Sequence, residues 1–406
     1  MKKVLVNAYA VSPDAGSELG MGWNWCVHMA QYHELFIITE GEFRDRIESA
    51  VSSLPQGKNM HFHYLPLSDR IRKMCWNQGD WRFYWHYRRW QKRALELARE
   101  IVAAERIDVI HQLNMVGFRE PGFLWKIPGI RYVWGPVGGM SQVPLAFFRD
   151  VPWKVRCKML VKNGLNRIQM NASWRVYQAA KRADAVICAT EVERRVLSKK
   201  VDTALTVIPE TGLENEFALH RKPLMDGKFH LLWTGRFVSR KKLDLALRIL
   251  AALGNPEIVL DILGEGSREE EAFNRSLADR LGVSDRVVWH GKVPHAQVLE
   301  WMCSCDLFLF TSVHEVTSTV IMEAISAGLP IVCFDTCGFG PIVDEQIGRK
   351  LPCSNPQQAV RDFSDAIDWL YRHPEARAAM SARAGDRLRS LTWNYKMQKL
   401  NLLYGE

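Results

Sequence analysis

Short apolar and β-branched runs recur along the chain, each bounded by Gly, Pro, Ser or Asp and spaced by longer amphipathic stretches. In the first half "KKVLVNAYA", "ELFIITE", "MHFHYLPL", "IDVIHQL", "IRYVWGPVGG" and "ADAVICAT" read as strands. After the first comes the loop "VSPDAGSELGMG", then a helix from Trp23 to about Gln31. Parallel neighbours need a crossover between them, and these intervals are long enough to hold one, so the pattern predicts a parallel sheet covered by helices. The pattern restarts after "IPETGLENEF" with "KFHLLWTGR", "IVLDILGEG", "RVVWHG", "DLFLFTS", "LPIVCF" and "GRKLP" as strands. Between them "KKLDLALRILAAL", "REEEAFNRSLADRLG", "HAQVLEWMCSC" and "TSTVIMEAISAG" read as helices. Glu269, Glu270 and Glu271 fall in the first turn of the second, where free amide ends favour negative charge. From Asp365 to the last residue the pattern is helical apart from a break at Pro374.

The expected fold class is α/β: two Rossmann-like, doubly wound parallel-sheet domains facing across a cleft. A chain of 406 residues is also long for a single core. The expected division is 1–206 for a first, acceptor-binding domain and 207–385 for a second, nucleotide-sugar-binding one, with 386–406 a helical segment packing back on the first. Ligands of open parallel sheets bind beyond the carboxyl ends of the strands. That puts "PDAGSELGMG", "GPVGG", "TGRFVSRKK", "GEG" and "HEVTST" on the rims.

Composition narrows the picture. With 47% hydrophobic and 24% charged residues the chain is globular, and no stretch reaches 18 uncharged apolar residues, so neither a signal peptide nor a membrane span is expected. The nine cysteines show no pairing or metal-knuckle spacing, which points to free thiols in a reducing cytoplasm. The net charge of +9 is one-sided: residues 1–210 hold 31 Lys and Arg against 20 Asp and Glu, and residues 211–406 hold 23 against 25. Arg70 to Arg93 and Lys154 to Arg182 each carry eight cations, with one acid in the former and none in the latter. An anionic partner for the first half follows.

The richest local pattern is "HEVTSTVIMEAISAGLPIV", with Glu315 and Glu323 separated by seven residues. The first lies in a strand exit, the second inside a helix whose first turn carries Thr317, Ser318 and Thr319, hydroxyls and amides suited to an anionic oxygen. Together with "GRFVSRKK" (235–242), "GEG" (264–266), "HG" (290–291) and "AGLP", these residues resemble the large family of retaining, nucleotide-sugar-dependent glycosyltransferases, family four, of GT-B arrangement. The resemblance is dense over residues 228–350 and looser elsewhere. It implies catalytic roles for Glu315, Arg236 and Lys241: the two cations grip the donor diphosphate, and Glu315 lies beside the transferred sugar. It implies donor contacts for Glu323 on the ribose, Gly235, Gly264 and Gly266 along the nucleotide, and His290 near the base or ribose, with Gly16, Thr317, Ser318 and Thr319 near the phosphates. Arg240 and Lys242 read as ordinary neighbours. No cofactor beyond the nucleotide sugar, a UDP- or GDP-sugar, and no metal is expected.

The chain also departs from the family pattern. Val316, Thr317 and Ser318 follow Glu315 where the family has a glycine, and "TCGFGPIV" carries Phe339 between its glycines and Ile342 in place of an acid. The customary histidine after the fifth strand is absent, with Trp134 and Gly135 in its place. Acceptor candidates are therefore Ser17, Glu18, Asn114, Gly138, Gly139 and His111. Two readings stand for His111, facing the cleft or satisfied within the core. "WRFYWHYRRWQKR" interleaves Trp81 and Trp85 with Arg82, Arg89 and Arg93, which suits an anionic lipid surface, while packing of the aromatics on the sheet is the competing reading. No nucleic-acid module is visible. The expected activity is transfer of a sugar to a glycan or lipid-linked acceptor in surface polysaccharide or lipopolysaccharide assembly, at the inner face of the cell membrane. The alternatives are an enzyme making a soluble glycoside or glucan, and a non-catalytic scaffold.

Overall fold

A computed structural model of the protein describes residues 1–76, 81–148, 153–214, 220–315 and 318–405. The chain divides into two compact units. The first comprises Met1–Met140, Arg167–Glu210 and Lys396–Glu406; the second comprises Ser141–Asn166 and Thr211–Tyr395.

The first unit is built on β1 (Lys3–Ala8), β2 (Glu34–Thr39), β3 (Met60–Tyr64), β4 (Val109–Asn114), β5 (Arg131–Val137), β6 (Ala185–Cys188) and β7 (Ala204–Val207). These form one sheet in the order β3-β2-β1-β4-β5-β6-β7, with every pairing parallel. Val4, Leu5 and Val6 of β1 are fully buried between β2 and β4, which is why the strand reads as an unbroken apolar run instead of an alternating one. The helices are α1 (Ser17–Met29), α2 (Arg44–Ser53), α3 (Asp69–Trp76), α4 (Arg82–Ala104), α5 (Trp153–Ala172), α6 (Trp174–Arg182) and α7 (Glu191–Leu197), and α5 runs from residues of the second unit into the first.

The second unit repeats the plan with β8 (Phe229–Thr234), β9 (Ile258–Leu263), β10 (Val287–Gly291), β11 (Leu307–Phe310), β12 (Ile331–Phe334) and β13 (Gly348–Leu351), ordered β10-β9-β8-β11-β12-β13 and again parallel. Its helices are α8 (Leu243–Leu253), α9 (Arg268–Leu281), α10 (His295–Ser304), α11 (Thr319–Ser326), α12 (Pro356–Arg372) and α13 (Pro374–Arg389), and α14 (Trp393–Tyr404) passes from this unit into the first at Lys396. Local chemistry sets their ends. Ser267 and Glu270 close a capping box on α9, and Gly254 and Gly282 end α8 and α9 in the left-handed conformation.

Four expectations shift. α1 starts at Ser17, six residues before Trp23, because Gly20 and Gly22 pack inside the helix instead of looping. Strand β7 has only partly buried or exposed residues, so its sequence "ALTV" carried no core signal. The closing helices break at 390–392 as well as at Pro374. Residues 141–166 group with the second unit, where Phe147 and Phe148 are buried and Phe147 meets Phe334 of β12 edge-on at 5.3 Å. The last helix supplies the first unit from Lys396 onward: Lys2 Nζ donates to the Tyr404 carbonyl at 2.6 Å and Arg131 Nε to that of Leu403 at 2.7 Å.

Candidate functional site

In each unit the strand order reverses between its first strand and its fourth, and open α/β sheets bind ligands at such a point, outside the carboxyl ends. In the second unit those strands are β8 and β11. The exit of β8 runs from Gly235 to Lys242 and that of β11 from Thr311 to Glu315. Main-chain and hydroxyl contacts tie them together: Val313 N donates to the Arg240 carbonyl at 3.0 Å, and Thr311 Oγ1 to the Lys241 carbonyl at 2.8 Å. Trp233 Nε1 donates to the same hydroxyl at 3.0 Å.

On this frame Glu315 Oε1 collects three partners. Arg240 Nη1 lies at 2.7 Å, Ser312 Oγ at 3.0 Å and Lys241 Nζ at 3.1 Å. The carboxylate is 9% exposed and the lysine 12%, so little solvent screens the pair. Oε2 has no hydrogen-bond partner among the described residues. The Glu315 amide meets Cys337 Sγ at 3.3 Å, which anchors the loop from below. Arg240, read from sequence as a bystander, is therefore a direct partner of Glu315. Arg236 is exposed and makes no side-chain hydrogen bond or ion pair with a described residue.

The glycines stand where backbones touch. At Gly264 a Cβ would lie 1.9 Å from the Gly235 carbonyl oxygen, and at Gly235 one would lie 2.6 Å from Lys241 Cδ; both residues have φ +147°. Only glycine lets the exits of β8 and β9 run this close and leaves Lys241 its course toward Glu315. At Gly266 a Cβ would lie 2.8 Å from that of Phe237.

Glu323 lies on α11, and its Oε1 meets His295 Nε2 of α10 at 3.1 Å, a partner that the sequence pattern did not single out. Ser318 is buried and precedes the helix as its cap residue without a side-chain cap bond; Thr319 opens the helix and is exposed. Thr319 thus lies in the first turn as expected and Ser318 one position before it, and Thr317 lies outside the described residues. His290 Nε2 meets Asp261 Oδ1 at 2.8 Å and its ring packs on Trp301 at 4.1 Å. Asp261 is buried, and its other oxygen lies 2.7 Å from His230 Nδ1. Burial lowers the pKa of His230, but its bonds to Asp261 and Asp226 outweigh this and leave it raised. His314, next to Glu315, has a buried Nδ1 without a partner, and its pKa is lowered by burial and by Lys162 and Arg240.

The corresponding point of the first unit lies between β1 and β4. Asn114 Nδ2 donates to the Ala10 carbonyl at 2.8 Å and Asn114 Oδ1 accepts from the Ala10 amide at 3.3 Å, closing the loop on itself. Glu18 accepts from the Val116 amide. Burial of its carboxyl end, with the Val116 bond opposing and Glu210 adding, raises its pKa to about 7. Gly16 meets open space and has φ −84°, whereas a Cβ at Gly20 or Gly22 would lie 2.2 Å from a carbonyl oxygen, so those two carry the steric requirement. Ser17 is exposed in the left-handed region at φ +56°. Gly138 zips to the β4 exit through its amide on the Val116 carbonyl at 2.8 Å, and Gly139 follows at φ +85°.

His111 belongs to the core. Its Nε2 donates to the Gly135 carbonyl at 2.7 Å and Nδ1 accepts from Tyr404 Oη at 2.5 Å. Burial drives its pKa down to about 4 against the Gly135 bond, so the ring is neutral and fully engaged, and the cleft-facing reading falls. Among the described residues no group of three or more His, Cys, Asp and Glu side chains could hold a metal ion, and eight cysteines are free.

Residues 215–387 match the family model described as "Glycosyl transferases group 1". The chain is 27% identical over 205 residues to the GtfA subunit of the UDP-N-acetylglucosamine–peptide N-acetylglucosaminyltransferase of Streptococcus gordonii, covering 47% of this chain and 39% of that protein. It therefore spans well under half the length of that relative. To the lipopolysaccharide core biosynthesis mannosyltransferase LpsB of Rhizobium meliloti it is 24% identical over 304 residues, covering 71% and 82%. Among solved structures, the lipopolysaccharide outer core galactosyltransferase WaaB in its apo form aligns over 99% of this chain and 98% of its own with a TM-score of 0.66 at 13% identity. Anabaena HepE with UDP and glucose aligns over 99% and 98% at 0.60 and 14%. Residues 215–387 are thus similar to the group 1 glycosyl transferases, and the chain as a whole shares the fold of these solved glycosyltransferases.

Against that family the departures in "TCGFGPIV" have a packing cause. Phe339 is fully buried and meets Phe310 of β11 edge-on at 5.0 Å, and Ile342 is buried in the same core. A Cβ at Gly340 would lie 2.7 Å from Asp335 Oδ1. The aromatic segment of the first unit splits by face. Phe83, Tyr87 and Trp90 enter the core, while Trp81 and Trp85 are 77% and 55% exposed and Arg89 lies 4.8 Å over the Trp85 ring. Arg82 and Arg93 are exposed beside them.

Proposed function

We propose that the protein is a retaining glycosyltransferase that moves a sugar from a nucleotide diphosphate donor to a glycan or lipid-linked glycan acceptor in surface polysaccharide assembly. The observation that carries this reading is the Glu315 cluster at the β8/β11 switch point, where a poorly solvated carboxylate is held by Arg240, Lys241 and Ser312 through one oxygen. The family match over the second unit and the names of the lipopolysaccharide relatives support it.

The β8 exit carries Arg236, Arg240, Lys241 and Lys242, of which Lys242 is paired with Asp244, and a diphosphate leaving group needs positive charge as its bond to the sugar breaks. In the reaction the C1–O bond to the diphosphate breaks and a bond from the acceptor oxygen to C1 forms on the same face. The acceptor proton passes to an oxygen of the departing phosphate. Glu315 Oε2 is left to bind hydroxyls of the transferred sugar, and Glu323, oriented by His295, the ribose. His290 keeps its ring on Trp301 and Asp261, so it contributes shape at the β10 exit more than free hydrogen bonds. The first unit holds the acceptor, with Ser17 and the Glu18 loop at its rim, and Trp81, Trp85, Arg82, Arg89 and Arg93 touch an anionic membrane from the cytoplasmic side. No metal takes part.

A panel of UDP-, GDP- and ADP-sugars, read by hydrolysis and by protection from thermal unfolding, tests the reading. One donor class is expected to be turned over and to protect; none doing either would sink it. Activity with that donor is expected to survive a chelator, and loss restored by magnesium or manganese would overturn the metal-free chemistry.

A further inference from the structure

Helix α5 has its faces the wrong way round for a soluble protein. The residues it turns inward are Met159, Asn163, Asn166 and Met170, spaced four, three and four apart along one stripe. Both ends of the Asn163 amide bond the Val143 main chain, at 2.9 and 3.0 Å, and Asn166 Nδ2 donates to the Ser141 carbonyl at 3.2 Å. The opposite stripe is Trp153, Cys157, Leu160, Val161, Leu165 and Ile168, and every one of these is exposed; Trp153, Val161 and Ile168 are each more than 60% so. At 100° per residue these side chains occupy one continuous arc. Lys158 and Lys162 lie on one flank of it and Arg156 and Arg167 on the other, while Lys154 falls within it between Val161 and Leu165.

A soluble helix buries its apolar stripe, as α8 does with Leu243, Leu247 and Leu250. Here a narrow stripe of two methionines and two bonded asparagines meets the protein, and the wider apolar one is presented outward between two rows of cations. Such a face needs an occupant. Its charge chooses among candidates. From Lys154 to Arg182 there are eight cations and no acid, so a second copy of the same face would be repelled. Five of the six apolar residues are aliphatic or sulfur-bearing and offer nucleic-acid bases little to stack on. An anionic bilayer surface satisfies both parts: the aliphatic strip enters the acyl boundary and each cation near the headgroups adds about 1 kcal/mol.

Within the first unit the neighbouring surface continues the theme. Buried Glu120 binds Arg88 of α4 at 2.7 Å and Arg175 of α6 at 3.2 Å, and Arg119 bonds Gln169 of α5. This clamp brings the start of α4, with exposed Trp81 and Trp85, to the end of α5 and the exposed Trp174 of α6. We infer that α5 is a membrane-docking helix, which lays its Trp153–Ile168 strip into an anionic lipid surface and anchors the protein there more strongly than the arginines of α4.

The test uses the full chain and vesicles of neutral phospholipid with or without about 30% anionic phospholipid. Wild type is expected to sediment with the anionic vesicles and much less with the neutral ones. Leu160→Ser, Val161→Ser, Leu165→Ser and Ile168→Ser together should lower the partition coefficient at least about tenfold, because more than one exposed aliphatic chain is removed. The same variant should keep donor hydrolysis and thermal midpoint, which separates failure of docking from failure of the glycosyltransfer reading. A fluorophore on Cys157, in a chain with Cys75→Ser and Cys353→Ser, should shift to the blue on adding anionic vesicles. Sedimentation unchanged in the fourfold variant, or no blue shift, overturns the proposal. So does a wild-type dimer that the variant converts to monomer without vesicle binding in either, since the occupant would then be a second copy.

Discussion

The two switch points share a strand order and differ in how their loops are finished. Between β8 and β11 the exits are joined by Thr311 and Val313 through main-chain carbonyls, which leaves the side chains of Arg240, Lys241 and Glu315 to meet each other. Between β1 and β4 the side chains themselves do the joining: Asn114 closes on Ala10 and Glu18 on Val116, while His111 of β4 is taken up by Gly135 of β5 and Tyr404 of α14. One point therefore concentrates charge and the other suppresses it, with a carboxyl whose pKa is raised and an imidazole whose pKa is lowered. A site for a diphosphate needs the former, and a surface for an uncharged sugar hydroxyl suits the latter.

Removing the charge at the second point should have the largest effect. Glu315→Gln keeps shape and size and is expected to lower kcat/KM with the true donor by about a hundredfold or more, the scale of losing one preorganised electrostatic contact. Wild-type turnover would take Glu315 out of the chemistry. Lys241→Ala should cost at least about tenfold in kcat, and Arg236→Ala the same, since one charge-assisted contact contributes roughly 1.5–3 kcal/mol. If Arg240→Ala costs tenfold while Arg236→Ala costs nothing, the cation on the leaving group is the one already paired with Glu315.

The first point breaks by pH. The unfolded chain binds a proton on His111 near pH 6.5 and the folded chain only near about 4, so the unfolded state holds more protons between those values. The stability that the neutral ring contributes is complete above about pH 6.5 and is lost as pH falls through 6.5 toward 4. Wild type should lose about 2 kcal/mol more than His111→Gln between pH 7 and pH 5 by denaturant titration. Equal slopes for the two proteins would show that the ring is not buried neutral.

A smaller contrast lies within the first loop. Gly22→Ala places a Cβ 2.2 Å from the Ala10 carbonyl oxygen and should lower stability by about 1–3 kcal/mol. Gly16→Ala meets nothing at an ordinary φ and should leave the thermal midpoint level or raise it by the equivalent of about 0.5 kcal/mol. The reverse order would mean that the loop, and not α1, holds the close approach.

Much of the frame was legible because parallel strands buried on both faces must be apolar throughout, and Val4–Val6 and Leu307–Phe310 are. Strand β7 escaped because an edge strand lacks that signature. In "SRKK" the cations are consecutive, and no spacing rule says which one turns to Glu315. The turn decides it, since Lys242 takes φ +54° and pairs with Asp244, leaving Arg240 and Lys241 to the carboxylate.

What the sequence by itself determined is therefore what depends on neighbours in the chain: the strands, the capped helices, the paired glutamates and the glycines at strand exits. Tertiary structure decided the identity of partners. His111 is a core residue because Tyr404, 293 positions away, occupies its second nitrogen. The α5 stripe faces out because Asn163 and Asn166 find main-chain partners at Val143 and Ser141 on the other side. A helical period tells which residues share a face, but only packing tells which face meets water.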